Sequence, residues 1–332
     1  MAATIHDVAR LAGVNSSTVS RVLNGKVTVL DETRQKIYAA MQELDYHPNS
    51  LARSLANGQS GAIGVVVDAK DAEAFSNVFF NRSLFAIEQV AQERGYHVIL
   101  ANGAKRAGGA ASIEKLILEH KVDGLILPPS TIQASLMKSI HSFPCLVLGQ
   151  PETAAQELSW VDLNNAQGAE LAVKHLLKKG YRCIGYLGSN ARNGFSKRRI
   201  RGYEQALSQQ EPCIYPTDGT VEQALQQAME ALQGVEHPDA FVCNDNLTAF
   251  GLLKAVRVCG LRCPQDVGIV TFDNYPLAEF TDPALTSVDV DTALLGEQAA
   301  RLLFQQIDHH TPNQQIVLGT TLVERISSDR ME

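Results

Sequence analysis

TIHDVARLAGVNSSTVSRVLNG, Thr4 to Gly25, joined further on by HPNSLARSLANG, His47 to Gly58, spaces its small, apolar and turn residues so that two short helices meet across a tight bend. The Thr4 hydroxyl can cap the first helix, with Asp7 placed as the acid of a capping box. Val8 and Leu11, three apart, lie on one face of it. Gly13 supplies a left-handed turn, Val14 plugs the core, and Asn15 or Ser16 caps a second helix from about Ser17 to Leu23. Val19, Val22 and Leu23 give that helix its apolar face. Its exposed positions fall to Ser16, Ser17, Ser20 and Arg21, all able to hydrogen-bond to phosphates or base edges. A third helix from about Glu32 to Leu44, capped by Asp31, brings Ile37, Met41 and Leu44 to close a three-helix core. The pattern is that of a helix-turn-helix, a shape that reads DNA; an ordinary helical hairpin of a larger domain is the competing reading of the same pattern.

The Thr4 to Gly25 string, the Asp-Glu-Thr-Arg run at Asp31 to Arg34 and the Tyr-His-Pro-Asn run at Tyr46 to Asn49 resemble the headpiece of the lactose-repressor/galactose-repressor (LacI/GalR) family. LARSL at Leu51 to Leu55 resembles that family's hinge, and a looser similarity runs to about residue 328. The resemblance implies a recognition helix in the major groove, with Ser16, Ser17 and Arg21 facing bases and Thr4, Ser20 and Asn24 nearer phosphates. Of these, Arg21 has the geometry best suited to guanine. Asn49 joins the DNA-binding set at the start of the hinge. The stretch Asn49 to Asn57 is too short for a stable free helix. Leu51, Ala52, Leu55 and Ala56 nevertheless share one side, so two copies can pair on DNA. By resemblance Leu55 wedges into the minor groove and kinks the operator.

Composition bounds the remainder. A chain of 332 residues suggests two or three domains. Residues 1–60 hold six Lys or Arg against five Asp or Glu, a net +1, so the remainder carries −8 of the chain's net −7. An acidic body of this kind discourages nonspecific nucleic-acid binding and leaves DNA contact to a local surface. No stretch approaches the roughly 20 apolar residues of a membrane span, and Met1 to Arg10 lacks the apolar core of a secretory signal. A cytoplasmic, nucleoid-associated protein is expected. The six cysteines, Cys145, Cys183, Cys213, Cys243, Cys259 and Cys263, lack the spacing of a zinc site and read as buried thiols near strands. His309-His310 reads as a solvated loop. Neither a metal nor another cofactor is expected.

After Gly58 short apolar runs alternate with helical stretches. The runs are Ile63 to Asp68, Tyr96 to Ala101, Asp123 to Pro128, Cys145 to Gly149, Cys183 to Gly188, Ala240 to Asp245 and Val267 to Asp273. They are nearly continuous in hydrophobicity, as strands of a parallel sheet covered on both faces must be. The intervening amphipathic segments include Leu84 to Arg94, Leu171 to Lys179, Ile200 to Leu207 and Ala293 to Gln306. The pattern is doubly wound α/β, and it restarts after the polar stretch Pro151 to Ser159. Two similar subdomains with a cleft between them follow, the chain crossing near Pro151 to Val161 and back near Ser287 to Thr292.

The expected organisation is an all-α helix-turn-helix headpiece (1–46), a hinge helix and linker (47–60) and an α/β periplasmic-binding-protein-like core (61–332). Within the core, an N-subdomain comprises about 61–158 plus 290–320 and a C-subdomain about 159–289 plus 321–328. The resemblance makes this core a sugar-binding unit with three crossovers and implies dimerisation through it. The chain ends soon after Ile316 to Ser327 without a heptad helix, which speaks against a coiled-coil tetramer.

Ligands in open α/β sheets sit beyond the carboxyl ends of the strands. Asp68 to Asn81 is longer than the corresponding family loop, with Val78 where a proline is common; Phe79 or Phe80 reaches the cleft by analogy, or serves as a core aromatic. In FSKRRIRGY, Phe195 to Tyr203, Arg199 stands three residues before Gly202, as does the family's effector-binding arginine. Its guanidinium can hold two sugar hydroxyls, a carboxylate or a phosphate. Lys197, Arg198 and Arg201 read as a solvated face, although an inward Lys197 would favour an anionic effector. Asn244 in CNDN and Asp273 in FDNY match cleft positions of the family, while Asp245 equally suits a cap for a helix near Leu247. Asn274 and Asn164 replace aspartates common in relatives. Trp160, the sole tryptophan, either stacks on a pyranose face or fills the gap between subdomains.

No GxGxxG follows Ile63 to Asp68, no P-loop lysine is present and no Ser/His/Asp arrangement stands out, so an enzyme is not expected. The expectation is a ligand-responsive, homodimeric transcriptional regulator, a repressor of carbohydrate-utilisation genes that binds pseudo-palindromic operator DNA. Its effector is a neutral sugar or glycoside, with a sugar phosphate and then a purine as alternatives. A sugar-binding receptor without a DNA function is the reading from a different class.

Overall fold

In the computed structural model, residues 3–23, 29–46, 58–68, 77–103, 109–153, 157–189, 194–208, 210–234, 237–309 and 311–330 are described. The chain divides into two units, Met1–Gly61 and Ala62–Glu332.

The first unit holds helices α1 (Ile5–Leu11), α2 (Ser16–Leu23) and α3 (Asp31–Glu43). Thr4 caps α1 through a capping box: its side chain accepts from the Asp7 amide while the Asp7 carboxylate accepts the Thr4 N–H at 3.0 Å. Gly13 has φ +66°, the left-handed bend that turns α1 into α2 at no steric cost to a residue without Cβ. Val8, Val19, Val22, Ile37 and Ala40 form the small core, with Val14, Leu23, Met41 and Leu44 packed around it. Two expectations fail here. Leu11 is 45% exposed and does not share the buried face of Val8, because the last turn of this seven-residue helix points it outward. Asp31 is the first residue of α3 rather than its cap; Leu30 holds the cap position without a side-chain bond. Asp31 instead sits in the first turn, where a carboxylate complements the helix dipole, and pairs with Arg34 at 3.2 Å.

The second unit alternates strands and helices in two lobes. Lobe 1 contains β1 (Ala62–Val67), α4 (Val78–Glu93), β2 (His97–Asn102), α5 (Gly109–Leu118), β3 (Gly124–Leu127), α6 (Ala134–Ile140), β4 (Cys145–Leu148) and β5 (Ser159–Leu163). Lobe 2 follows with α7 (Asn165–Lys178), β6 (Ile184–Ser189), α8 (Gly194–Leu207), β7 (Cys213–Thr217), α9 (Val221–Leu232), β8 (Ala240–Cys243), α10 (Asn246–Val258), β9 (Gly268–Phe272), α11 (Pro276–Glu279) and β10 (Thr286–Asp289). Then α12 (Thr292–His309) packs on α4 of lobe 1, β11 (Gln315–Leu318) joins the first sheet, and β12 (Thr321–Val323) joins the second.

Each sheet has six strands, ordered β11-β5-β4-β3-β1-β2 and β12-β10-β9-β8-β6-β7. The first is wholly parallel; in the second only β12 runs antiparallel, against β10. The central strands β1, β3, β8 and β9 are buried at every position, as parallel strands covered by helices must be.

The break expected at residue 159 falls instead after Leu163. Strand β5 pairs with β4 in the register Leu146↔Ser159 and with β11 at Gln315↔Trp160, so it completes lobe 1. The polar stretch from Pro151 is a connection within that lobe, and the first crossing occurs at Asn164. The chain returns between Asp289 and Thr292 and crosses a third time between Leu318 and Thr321. A single apolar cluster runs through the crossovers, from Ile63 and Ile126 through Val161 and Ala169 to Val270 and Phe272.

Candidate DNA-reading face and effector cleft

On α2, Ser17 and Arg21 are exposed and one helical turn apart, flanked by the half-buried Ser16 and Ser20. The opposite face carries Val19 and Val22 into the core, which leaves the polar face of α2 outward. Thr4 is exposed at the start of α1. Asn24, Asn49, Leu55 and the hinge lie outside the described residues.

The candidate effector site is built around Arg199. Its helix α8 lies against α7 so closely that a Cβ at Gly202 would stand 2.1 Å from the Ala166 carbonyl oxygen. Gly202 is therefore the residue that lets the two helices meet, one turn beyond Arg199. The guanidinium is buried and sits over the Phe272 ring at 3.8 Å and the Phe195 ring at 5.1 Å. Its Nε donates to Asn165 Oδ1 at 2.9 Å and its Nη1 to the Asn244 carbonyl. Nη2 stands 3.7 Å from Asp273 Oδ1.

Asp273 follows β9 with φ +66°, a left-handed conformation that aspartate tolerates better than most residues but that still costs energy. Its backbone is held there: its N–H donates to Val288 O at 3.1 Å, and its carbonyl accepts from Tyr275 N at 2.8 Å and from Asn246 Nδ2. The carboxyl group is buried and Oδ1 has no hydrogen-bond partner among the described residues. Burial pushes its pKa up from the ordinary carboxylate range to about 6, against the pull of Arg199. The Tyr275 hydroxyl bonds to this carboxyl group and accepts the Phe79 N–H of lobe 1 at 3.2 Å. Burial, and next the Asp273 charge, raise the Tyr275 pKa.

Asn244, at the end of β8, is buried. Its Oδ1 accepts from Tyr186 at 2.9 Å and Ser196 at 3.2 Å. Phe79 and Phe80 occupy the first turn of α4, half-buried and packed on the core cluster, with Asn77 as their cap. Asp245 caps α10 through a capping box with Thr248. The Asn164 side chain accepts from Gln167 N as the cap of α7. Asn274 accepts from Arg325 Nη2 at 2.8 Å.

Arg199, Asn244 and Asp273 thus come together, with Phe79 joined to them through Tyr275. Trp160 does not join them. It lies on β5 in the lobe 1 cluster with Val147, Leu136 and Leu158, 7% exposed, so it is a core residue rather than a sugar platform or a filler of the gap between lobes. The reading of Arg198 as solvated also fails: Arg198 Nη2 donates to the buried Asp162 of lobe 1 at 2.8 Å. Lys197 pairs with Glu152 at 2.9 Å and remains half-exposed. Sequence reasoning missed Asn165, Tyr275, Phe272 and Asp162 as members of the site. Tyr275 and Phe272 stood in the FDNY string beside Asp273, and the spacing of Phe195 to Arg199 by one turn was visible; the partnership of Asp162 with Arg198 was not.

Residues 4–49 match the lacI family of bacterial regulatory proteins, and residues 173–328 a periplasmic binding protein-like domain. The chain is 32% identical over 333 residues to the ribose operon repressor of Haemophilus influenzae, covering 98% of each chain. It is 31% identical over 321 residues to the HTH-type transcriptional repressor PurR of Mannheimia succiniciproducens, covering 92% of each. The chain belongs to the lacI family. It is a DNA-binding transcriptional regulator of the repressor type, with a small-molecule effector domain behind its helix-turn-helix headpiece. Solved relatives agree across nearly the whole length. The lac repressor dimer bound to operator and the anti-inducer ONPF superimposes with a TM-score of 0.86 at 27% identity, covering 99% of both chains. The CelR–cellobiose complex gives 0.73 at 27% identity, covering 98% of this chain and 99% of that one. Among the described residues of this LacI-family chain, no helix is long and apolar enough to cross a membrane, and no cluster of three metal-ligating side chains occurs.

Proposed function

We propose that this regulator is a cytoplasmic homodimer that represses carbohydrate-utilisation genes and releases or retains its operator in response to a neutral sugar or glycoside. The observation that carries the effector class is charge balance. Each cation of α8 from Lys197 to Arg199 has a carboxylate partner: Glu152, Asp162 and Asp273. A sugar phosphate would bring uncompensated negative charge to a site whose positive charge is already matched. Hydroxyl groups can instead donate to Asp273 Oδ1, which accepts no hydrogen bond among the described residues, and accept from Arg199 Nη2.

Arg199, Asn244 and Asp273 are the polar contacts in this reading, and Phe79 and Phe80 form the wall from lobe 1. Ser16, Ser17 and Arg21 read base edges, while Thr4, Ser20, Asn24 and Asn49 hold the backbone and Leu55 wedges into the minor groove. Dimerisation is supported by the lac repressor dimer and by large apolar side chains exposed on the second unit, among them Phe85, Leu277 and Phe280. The polar groups of the cleft hold a ligand and activate no nucleophile, which favours a binding protein over an enzyme.

Selection of random duplex DNA by the purified protein, at near-physiological salt and with or without a pool of neutral sugars, tests the proposal. An enriched palindrome whose recovery changes with the pool is expected. Enrichment that responds only to sugar phosphates or purines would overturn the effector class, and no enrichment would overturn the DNA function.

A further inference from the structure

Arg198 and Asp162 lie on different lobes, one on α8 and the other on β5, yet they form a largely buried ion pair at 2.8 Å. Every oxygen of Asp162 is engaged. Oδ2 accepts from Arg198 and from Gln150 N at 3.1 Å, and Oδ1 accepts from Leu163 N at 2.8 Å and Asn165 Nδ2 at 3.3 Å. The Asn165 side chain continues the chain of contacts, since its Oδ1 receives Nε of Arg199 at 2.9 Å. The carboxylate therefore touches both sides of the first crossover: the β5 strand that ends lobe 1 and the α7 residue that begins lobe 2.

We infer that Arg198 is a positioning residue that grips lobe 1 through Asp162 and, by way of Asn165, sets the aim of Arg199 across the cleft. The inference rests on the proposed role of Arg199 as the effector's anchor. The physical ground is that a buried pair is worth making only at one geometry. Opening the lobes would leave Asp162 with a buried charge stripped of its cation, whereas the neighbouring exposed pair Lys197–Glu152 constrains little. The angle between the lobes and the orientation of the binding guanidinium are thereby tied to one contact, and a ligand that favours that angle gains from a contact it does not touch.

The test uses the full-length protein with a donor and an acceptor dye, attached through azide-bearing residues at the exposed positions Ser142 of lobe 1 and Gln226 of lobe 2. Single-molecule energy transfer then reports the separation of the lobes. Wild type should give one narrow distribution. Arg198→Met and Asp162→Asn should each broaden it, the double variant no further than either alone, and Arg198→Lys should restore part of the narrowing. Met fills the space of the arginine stem, so an unchanged distribution in Arg198→Met would mean that Arg198 merely packs, and would overturn the inference.

Calorimetric titration with D-ribose and cellobiose forms the second arm. The affinity for whichever sugar binds wild type should fall on the order of tenfold in Arg198→Met as the closed fraction drops, while Arg199→Ala should lose binding. Normal binding by Arg199→Ala would refute the effector-site reading alone, because the lobe separations judge Arg198 independently of any ligand.

Discussion

Asp273 concentrates the unusual features of the site: a left-handed backbone, a buried carboxyl group with one oxygen that accepts no hydrogen bond among the described residues, and a pKa of about 6. Because burial holds this pKa above its unfolded value, folding favours the protonated form, and the group costs stability as pH rises from about 4 through 6. Relative to Asp273→Asn, the wild-type melting temperature should therefore decline across that window, measured by thermal unfolding of both proteins at each pH. Ligand hydroxyls that donate to the carboxylate favour its charged form. Sugar affinity should then rise with pH up to about 6 and level off above it, with proton release on binding near pH 5.5 seen by calorimetry in buffers of different ionisation heat. Asp273→Asn should abolish both effects. The resemblance to the family marked Arg199, three residues before Gly202, and together with their places at strand ends it marked Asn244 and Asp273. It did not mark Asp162, a charged residue in the middle of a strand whose burial is tolerable only because Arg198, 36 positions away in the chain, returns to meet it.

At the scale of elements, the strands legible in advance were apolar runs without a helical period, such as Ala62–Val67 and Gly268–Phe272, which are buried on both faces, and His97–Asn102, which is not. Five others were not picked out as strands. Ser159–Leu163 contains Asp162 and reads as polar, Cys213–Thr217 contains a proline at the sheet edge, and Thr286–Asp289, Gln315–Leu318 and Thr321–Val323 are only three or four residues long. Missing Ser159–Leu163 displaced the domain break and left Trp160 looking like a cleft residue. The helices fared better because their caps are local: Thr4 and Asp245 both announce their boxes within four residues. Helix packing gives the sharpest mutational forecast. Gly202→Ala would drive a methyl group into the Ala166 carbonyl, and separating α7 from α8 should cost roughly 1–3 kcal/mol or more. Since Asn165 and Arg199 lie on those two helices, the same variant should also weaken sugar binding, read by unfolding and titration side by side.

At the scale of the whole molecule, the chain comprises a helical unit that exposes Ser17 and Arg21 and a two-lobed unit in which Arg199 is buried. The expectation of such a division was legible from the change of hydrophobic period after Gly58. The exact crossovers were not, because they depend on which sheet a short strand joins. If the hinge wedge is how DNA engages, Leu55→Gly should weaken operator binding and leave sugar affinity unchanged, as gel-shift and calorimetric titrations of the same preparation would show. A coupling of about 1–3 kcal/mol between the two sites would alter operator affinity roughly 5- to 150-fold. The measurement that bears most directly on this coupling is an operator titration of wild type and Arg199→Ala, each with and without saturating sugar. Sugar should shift the wild-type curve by a factor in that range, and the variant should bind operator as tightly as unliganded wild type with no shift at all. A variant that still shifts like wild type would contradict that expectation.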